Sequence, residues 1–411
     1  MDKKKQNTKK NAAVKNKKQT NKSKADSKEK ISTPEAVQAA VPALPKRSCG
    51  IDIIKIMAAI FVIVTHFYLN TAFYTSIPID NKGYIPPLIV LWIGYTAVPL
   101  FMITTGYLMK NKTLSAKYYS ALIKILVFYL IGSFSCLKYR KDLGWDPDNW
   151  DLLKGVLEFS LCDNAWYVKM YLIMFMLIPF LNVMFNNLEG RKQHTILLVT
   201  VFLLFVAGPS LYIGRDPDRQ IQLLPTYMKR VFPIAYYFLG CYIREYPPKR
   251  TLRNKLIFFS VFAVCLAIMT RKLYLDSYRN DEHLFHSGYL FAYDNYFVFI
   301  LSAMVFLLLF DITIKSKAVT KVLSVLAQTT LLTYLISYGY DLKYYGAFNK
   351  KYEYPKFLLR FRHMYEIVPK IYFKSLVLSL IIVMLYTFCE KGVKRSIEEV
   401  KMMKAEDNNS R

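Results

Sequence analysis

The chain has 411 residues, of which 54% are hydrophobic and 16% aromatic, and its mean hydropathy is +0.20. Soluble domains of this size are more polar, so the composition indicates a membrane protein. The formal net charge is +27. Lysine and arginine are densest before residue 48 and after residue 390, outside the hydrophobic part, which favours charged tails over a nucleic-acid-binding groove.

The N-terminal segment is predicted to be a disordered basic tail. Residues 1–47 carry almost no large apolar side chains, so they cannot offset the entropy of ordering the backbone. The first apolar run begins at Ile51 and is long enough to remain in the bilayer, which predicts an anchor and not a cleavable signal. We expect a membrane domain at 48–390 and a second charged tail at 391–411.

The hydrophobic segments predict an all-α fold, a polytopic transmembrane helical bundle of about ten spans. Each segment is near the ~20 residues that a bilayer requires, except the short sixth one. The predicted spans are 51–73, 88–109, 119–138, 164–185, 194–213, 231–246, 255–272, 293–314, 320–342 and 371–389.

The basic tails predict the orientation in the cell membrane. An even number of spans places both termini on one side, and the positive-inside rule makes that side the cytoplasm. The inner loop 244–255 is basic, as expected, but the outer loop 343–370 is basic too. The outer stretch Trp150 to Leu161 is amphipathic and could lie at the interface over a site. We see no internal repeat of the kind that marks inverted transporter halves.

The six cysteines are scattered without CxxC spacing or histidine partners, which argues against a metal site and a disulfide framework. We interpret them as small apolar fillers. They are Cys49, Cys136, Cys162, Cys241, Cys265 and Cys389.

Polar residues inside the first span are the candidates for the chemistry, because ionisable groups are costly in a bilayer. His66 follows Lys55 by eleven positions, close to three helical turns, so the two share one face about 16 Å apart. That separation is comparable to an extended phosphopantetheine arm, so a phosphate near Lys55 would present a thioester near His66. Asn70 and Thr65 are candidates to fix the imidazole tautomer. The alternative is a histidine that hydrogen-bonds a neighbouring helix for packing.

The segment from Gly50 to His66 resembles the opening helix of the acyltransferase 3 family, membrane O-acyltransferases that modify bacterial surface polysaccharides. The family pattern is an arginine, ten residues and a histidine; here Lys55 replaces the arginine, keeping the charge but losing the bidentate fork. The stretch Val98 to Leu108 resembles the family's second motif, with Thr105 in place of serine, and its small residues would let another helix approach closely.

Weaker similarities follow in order along the chain. They are Lys117 to Lys124, Ala165 to Tyr171 continued to Pro179, Tyr236 to Ile243, and Tyr334 to Ser337. Ser337 occupies a place where family members often carry a second histidine, so a two-histidine mechanism is not expected here.

The resemblance implies transfer of an acyl group, expected to be acetyl, from a CoA thioester to a hydroxyl of a surface glycan. His66 would be the base, and Lys55, Lys117 and Lys124 would hold the donor's phosphates at the cytoplasmic face. Each lysine could instead be an ordinary positive-inside or snorkelling residue. No metal and no nucleic acid is expected to take part, and membrane lipids surround the spans.

Aromatic residues at the start of the fourth span are the candidates for binding the acceptor glycan at the outer face. Trp166, Tyr167 and Tyr171 could stack on a sugar ring, although an interfacial aromatic belt predicts the same residues.

Two other functions remain open. Asp146-Pro147-Asp148 and Asp216-Pro217-Asp218 have the carboxylate spacing of a metal-nucleotide site in a membrane glycosyltransferase, although Asp-Pro is commonly a turn element. A polysaccharide or lipid-linked glycan exporter, which would not transfer acyl groups, also suits many spans and a basic surface.

Overall fold

The structure, a computed structural model, describes residues 48–213, 221–279, 282–286, 293–353 and 356–409. The predicted N-terminal tail and the pair Asp216 and Asp218 lie outside these residues. The helices are α1 Cys49–Asn70, α2 Ile85–Gly94, α3 Ala97–Met109, α4 Ala116–Asp142, α5 Asn149–Glu158, α6 Trp166–Asn186, α7 Gly190–Phe202, α8 Phe232–Glu245, α9 Leu252–Tyr278, α10 Tyr296–Leu309, α11 Lys317–Lys351, α12 Phe357–Arg362 and α13 Met364–Asn409.

The predicted all-α polytopic fold is confirmed. In the described part of the chain, eight helical segments are long and apolar enough to cross a membrane, and the shorter α10 is also apolar. The described strands are two-residue segments, β1 Tyr212–Ile213 and β2 Ile221–Gln222, which pair antiparallel. Each predicted span coincides with a helix or with consecutive helical segments, and the short sixth span is the 14-residue α8.

Small residues allow α3 and α8 to cross closely, as the second motif predicts. A Cβ atom on Gly106 would collide with the backbone of Tyr237, and one on Gly240 would collide with the backbone of Ile103. A larger residue at either glycine would separate the helices, since backbone atoms cannot rotate away. Two segments of the family resemblance therefore meet in one contact.

Helices α1 and α11 pack side by side and run in the same direction. Near their starts, Cys49 Sγ lies 3.5 Å from Thr320 Oγ1, and near their ends Asn349 Nδ2 donates to the Asn70 carbonyl oxygen at 2.8 Å. We call these two ends of the bundle the Cys49 end and the His66 end. Helix α11 also packs against α4 and α13, so it joins the first span to the last.

Five of the six cysteines are buried and all six are free thiols, while Cys389 is exposed. The interpretation as small apolar fillers therefore holds for the five buried ones. The amphipathic stretch at 150–161 contains α5, where Trp150 is 69% and Leu157 68% exposed. Its exposed apolar side chains suit the predicted interfacial position.

Candidate functional site

His66 forms a largely buried pair with a residue that lies far away in the sequence. Its Nδ1 atom lies 3.0 Å from Asp341 Oδ2 on α11, and the His66 and Asp341 side chains are 15% and 2% exposed. The Asp341 carboxylate can only accept a hydrogen bond, so it selects the tautomer with the proton on Nδ1. The Nε2 lone pair is then available to accept a proton from a substrate.

The expectation that Asn70 or Thr65 fixes the tautomer is wrong. Asn70 Nδ2 donates to the backbone oxygen of His66 at 2.8 Å, and Thr65 Oγ1 donates to the Val62 oxygen at 2.7 Å. Both side chains therefore donate to a carbonyl oxygen one turn earlier in their own helix instead of to the imidazole. Asp341 was not among the residues predicted from the sequence. The signal for it was an acidic residue at the end of a 19-residue stretch without charge that follows Lys321, since acids are unusual in such segments.

Two polar atoms in and beside the pair lack hydrogen bonds. Asp341 Oδ1 and the Tyr345 hydroxyl are buried and have no hydrogen-bond partner among the described residues. Such groups are costly in an apolar interior. Ser337 is at the place of the family's second histidine and lies one helical turn before Asp341. Its hydroxyl donates to the Tyr334 carbonyl oxygen at 2.7 Å. The acid of the pair thus stands one turn beyond that family position.

Lys55 lines a separate cavity of about 310 Å³ between four helices and the first span. Its lining is mainly apolar, with hydroxyl groups from threonine and tyrosine. The lining residues are Lys55, Phe101, Thr104, Thr105, Leu108, Met109, Ile125, Tyr167, Tyr171, Thr330, Leu331 and Tyr334. We call this space the Lys55 cavity; it combines one ammonium group with mainly apolar walls.

The Lys55 cavity contains two of the aromatic residues expected at the outer surface. Tyr167 is 7% exposed, and both it and Tyr171 line the cavity. Trp166 does not line it; the indole is 42% exposed and stacks on Tyr293 at a centroid distance of 5.8 Å. The Trp166 and Tyr167 rings meet edge to face at a centroid distance of 6.2 Å, and Tyr167 stacks on Tyr171, so the three rings form a chain of contacts from the exposed indole into the cavity.

The other two predicted donor-binding lysines lie elsewhere. Lys117 is exposed near the start of α4. Lys124 Nζ lies 5.3 Å from the Phe128 ring centroid and 5.5 Å from that of Tyr386 on α13. The structure brings neither lysine into the Lys55 cavity.

The first acidic pair has a local structural role. Asp148 Oδ1 accepts a hydrogen bond from the Asp151 backbone nitrogen at 2.7 Å, which makes Asp148 the N-cap of α5. Asp146 is exposed in the irregular segment before it. Over the described ranges, no cluster of three or more histidine, cysteine or acidic side chains could hold a metal ion.

The geometry separates two chemical capacities along α1. The Lys55 cavity offers a cation and an apolar slot, and the His66–Asp341 pair offers an oriented base. Eleven residues separate Lys55 from His66, about 16 Å along the helix axis. His66 is not among the lining residues, and the last lining residue on α11, Tyr334, lies seven positions before Asp341.

The chain matches the model of a known protein family, which identifies the type of reaction. No curated protein and no solved structure matches the chain. The acyltransferase 3 family model, described as an acyltransferase domain, matches residues 50–389, from the start of α1 into α13. The match covers the Lys55 cavity and the His66–Asp341 pair, so this multi-pass membrane protein is an enzyme that transfers acyl groups and belongs to the acyltransferase 3 family.

Proposed function

We propose that this acyltransferase moves an acyl group, expected to be acetyl, from a CoA thioester to a hydroxyl of a cell-surface glycan, with His66 as the general base. The observation that carries the proposal is the hydrogen bond between His66 Nδ1 and Asp341 Oδ2 at 3.0 Å. It leaves an oriented Nε2 as a base inside a chain whose family transfers acyl groups.

The reaction uses the pair as follows. The acceptor oxygen attacks the thioester carbonyl carbon while its proton passes to His66 Nε2. The buried Asp341 carboxylate stabilises the imidazolium that forms, because opposite charges attract strongly where water is excluded. The carbon–sulfur bond then breaks, and the thiolate takes the proton back from Nε2, which restores the neutral ring.

The Lys55 cavity is the proposed site for the donor. A CoA thioester has an anionic phosphate end and a long, uncharged pantetheine arm. The Lys55 ammonium attracts the phosphates, and the apolar walls of the cavity accept the arm. The arm then points along α1 toward His66 over a distance of about 16 Å. Tyr167 and Tyr171 contribute to this site in the proposal, and Trp166 stays a candidate for the acceptor.

The proposed orientation places both termini and Lys55 toward the cytoplasm, where acyl-CoA is made, and the His66 end toward the outside.

Alternative functions receive less support. Glycan export without transfer does not account for the family match, and Asp148 caps a helix instead of facing a nucleotide site.

The test is mass spectrometry of surface glycans from cells with and without the gene, combined with transfer of labelled acetyl from acetyl-CoA by membranes. We expect an acyl mass increment that depends on the protein and disappears with His66→Ala. Identical glycan masses, with glycan export reduced in the deletion strain, would support the exporter instead.

A further inference from the structure

The basic segment 343–370 at the His66 end is not explained by the proposed reaction. It contains seven lysine or arginine residues and two acidic ones. In the proposed orientation it faces outward, where the positive-inside rule disfavours such an excess. Part of the excess is structural, since Lys351 pairs with Glu366, Lys356 pairs with Glu353, and Arg360 is buried. The exposed Lys343 and Lys370, which lie against aromatic rings, are the candidates for a binding role.

Three tyrosine rings from two helices form a row beside this segment. The Tyr139 and Tyr340 centroids are 5.9 Å apart, and Tyr340 stacks on Tyr344 with centroids 5.8 Å apart and ring planes 6° from parallel. All three side chains are partly exposed. The Tyr139 ring is inclined by 43° to that of Tyr340, so only Tyr340 and Tyr344 are parallel. Partly exposed aromatic rings in such a row offer a surface on which a sugar ring can stack.

Two ammonium groups lie against the same rings. Lys343 Nζ lies 5.5 Å from the Tyr139 centroid and 5.6 Å from the Tyr344 centroid, and Lys370 Nζ on α13 lies 4.2 Å from the Tyr344 centroid. Both lysines are exposed, and Lys370 and Tyr344 also line a cavity of about 190 Å³. We call Tyr139, Tyr340, Tyr344, Lys343 and Lys370 the tyrosine–lysine row.

The row lies where three helices leave their apolar stretches. The long uncharged stretch of α4 ends at Lys138, that of α11 ends at Asp341, and that of α13 begins after Lys374. The row is therefore at the level of a bilayer surface in a chain that spans the membrane. Asp341, the partner of His66, follows Tyr340 directly in α11 and faces α1, whereas Tyr340 faces α4, so the row and the base are at the same level of the bundle on neighbouring faces of α11.

We infer that the tyrosine–lysine row binds an acidic glycan, one carrying carboxylate or phosphate groups, and holds it as the acceptor beside His66. The inference rests on the proposed function and adds the chemical class of its acceptor. Rings alone would suit any sugar; the ammonium groups beside them are exposed and can pair with a carboxylate or phosphate, so they select a negatively charged sugar.

The test is equilibrium binding of fluorescent oligogalacturonate, an anionic oligosaccharide, to the full chain in phosphatidylcholine nanodiscs without acyl donor. Maltohexaose serves as the neutral probe. We expect oligogalacturonate to bind more tightly than maltohexaose, with Tyr344→Ala and Lys370→Gln each weakening its binding about three- to tenfold. Matched controls at the same end are the exposed Tyr365→Ala and Lys356→Gln, which should bind like the parent.

Three outcomes would overturn the inference. They are equal binding of the two oligosaccharides, unchanged oligogalacturonate binding in both row variants, and loss of that binding when phosphatidylglycerol is added to the discs, which would assign the row to lipid headgroups. His66→Ala should bind oligogalacturonate normally. Failure of the row therefore leaves the proposed reaction standing, and failure of the reaction leaves binding to the row measurable.

Discussion

The Lys55 cavity and the His66–Asp341 pair differ in how they are built. The cavity takes its walls from five helices and contains one charged residue among twelve lining residues. The pair consists of two residues that are 275 positions apart and joined by one hydrogen bond. A cavity with many walls should lose donor affinity gradually when one residue changes, whereas a pair should lose its function with either member.

The largest effect is expected for His66→Ala. Transfer should fall about 10²- to 10⁴-fold, because the general base is removed while the span accepts a small apolar side chain. The measurement is labelled acetyl transfer per molecule of inserted protein. His194→Ala is the matched control. His194 is also a buried histidine, and its ring nitrogens lie within hydrogen-bonding distance of Gly190, Tyr246 and Phe185. The His194→Ala variant should have a lower protein yield but an unchanged turnover. Turnover in His66→Ala equal to that of the parent would show that His66 is not the general base.

A smaller loss is expected for Asp341→Asn, which separates the charge of the pair from its geometry. The amide oxygen can still accept from His66 Nδ1, but the neutral side chain no longer stabilises the imidazolium. Turnover should fall about 10- to 100-fold, part of the full contribution of a general base. The KM for the donor should stay unchanged, and the pH profile of turnover should shift.

The control for this charge effect is Asp276→Asn on α9, where Asp276 pairs with Lys272 at the protein surface. It should leave both kcat and the pH profile unaltered. Unchanged kcat and pH profile in Asp341→Asn would show that the carboxylate contributes packing alone.

Lys55→Ala tests the cavity and should act on donor binding. The KM for acetyl-CoA should rise about tenfold through loss of a charge-assisted contact to phosphate, with little change in kcat. Lys55→Arg should restore or improve the KM, because guanidinium keeps the charge and adds a fork. Lys117→Ala and Lys124→Ala serve as controls outside the cavity. Equal KM values in all four variants would contradict the donor site.

The smallest effect is expected for Thr104→Val. The Thr104 hydroxyl is buried in the cavity wall and has no hydrogen-bond partner among the described residues. If it bonds an amide of the pantetheine arm, the isosteric change should raise the donor KM about threefold, within the range of one neutral hydrogen bond. Unfolding temperature should rise slightly, since an unsatisfied hydroxyl is removed.

Thr329→Val is the matched control for that change, because the Thr329 hydroxyl donates to the Leu326 oxygen and lies outside the cavity. It should lower the unfolding temperature and leave the donor KM at the parental value. A donor KM in Thr104→Val equal to that of the parent would show that the hydroxyl does not contact the donor.

The sequence by itself determined the fold class and the residues of the first helix that matter. Long apolar segments predict membrane helices because a bilayer forces every backbone group to bond within its own segment. The eleven-residue spacing predicts that Lys55 and His66 share a face because helical periodicity is local. The close contact at Gly106 was also foreseeable, although its partner glycine on α8 was not.

Only the tertiary structure decided which side chains meet. Asp341 joins His66 because α11 runs parallel to α1, and that register depends on packing between elements far apart in the sequence. The same packing puts Tyr167 and Tyr171 into the Lys55 cavity and keeps Lys117 and Lys124 out of it. Periodicity assigns a residue to a face of its helix, but the neighbour that covers this face is chosen by the fit of all side chains between the helices.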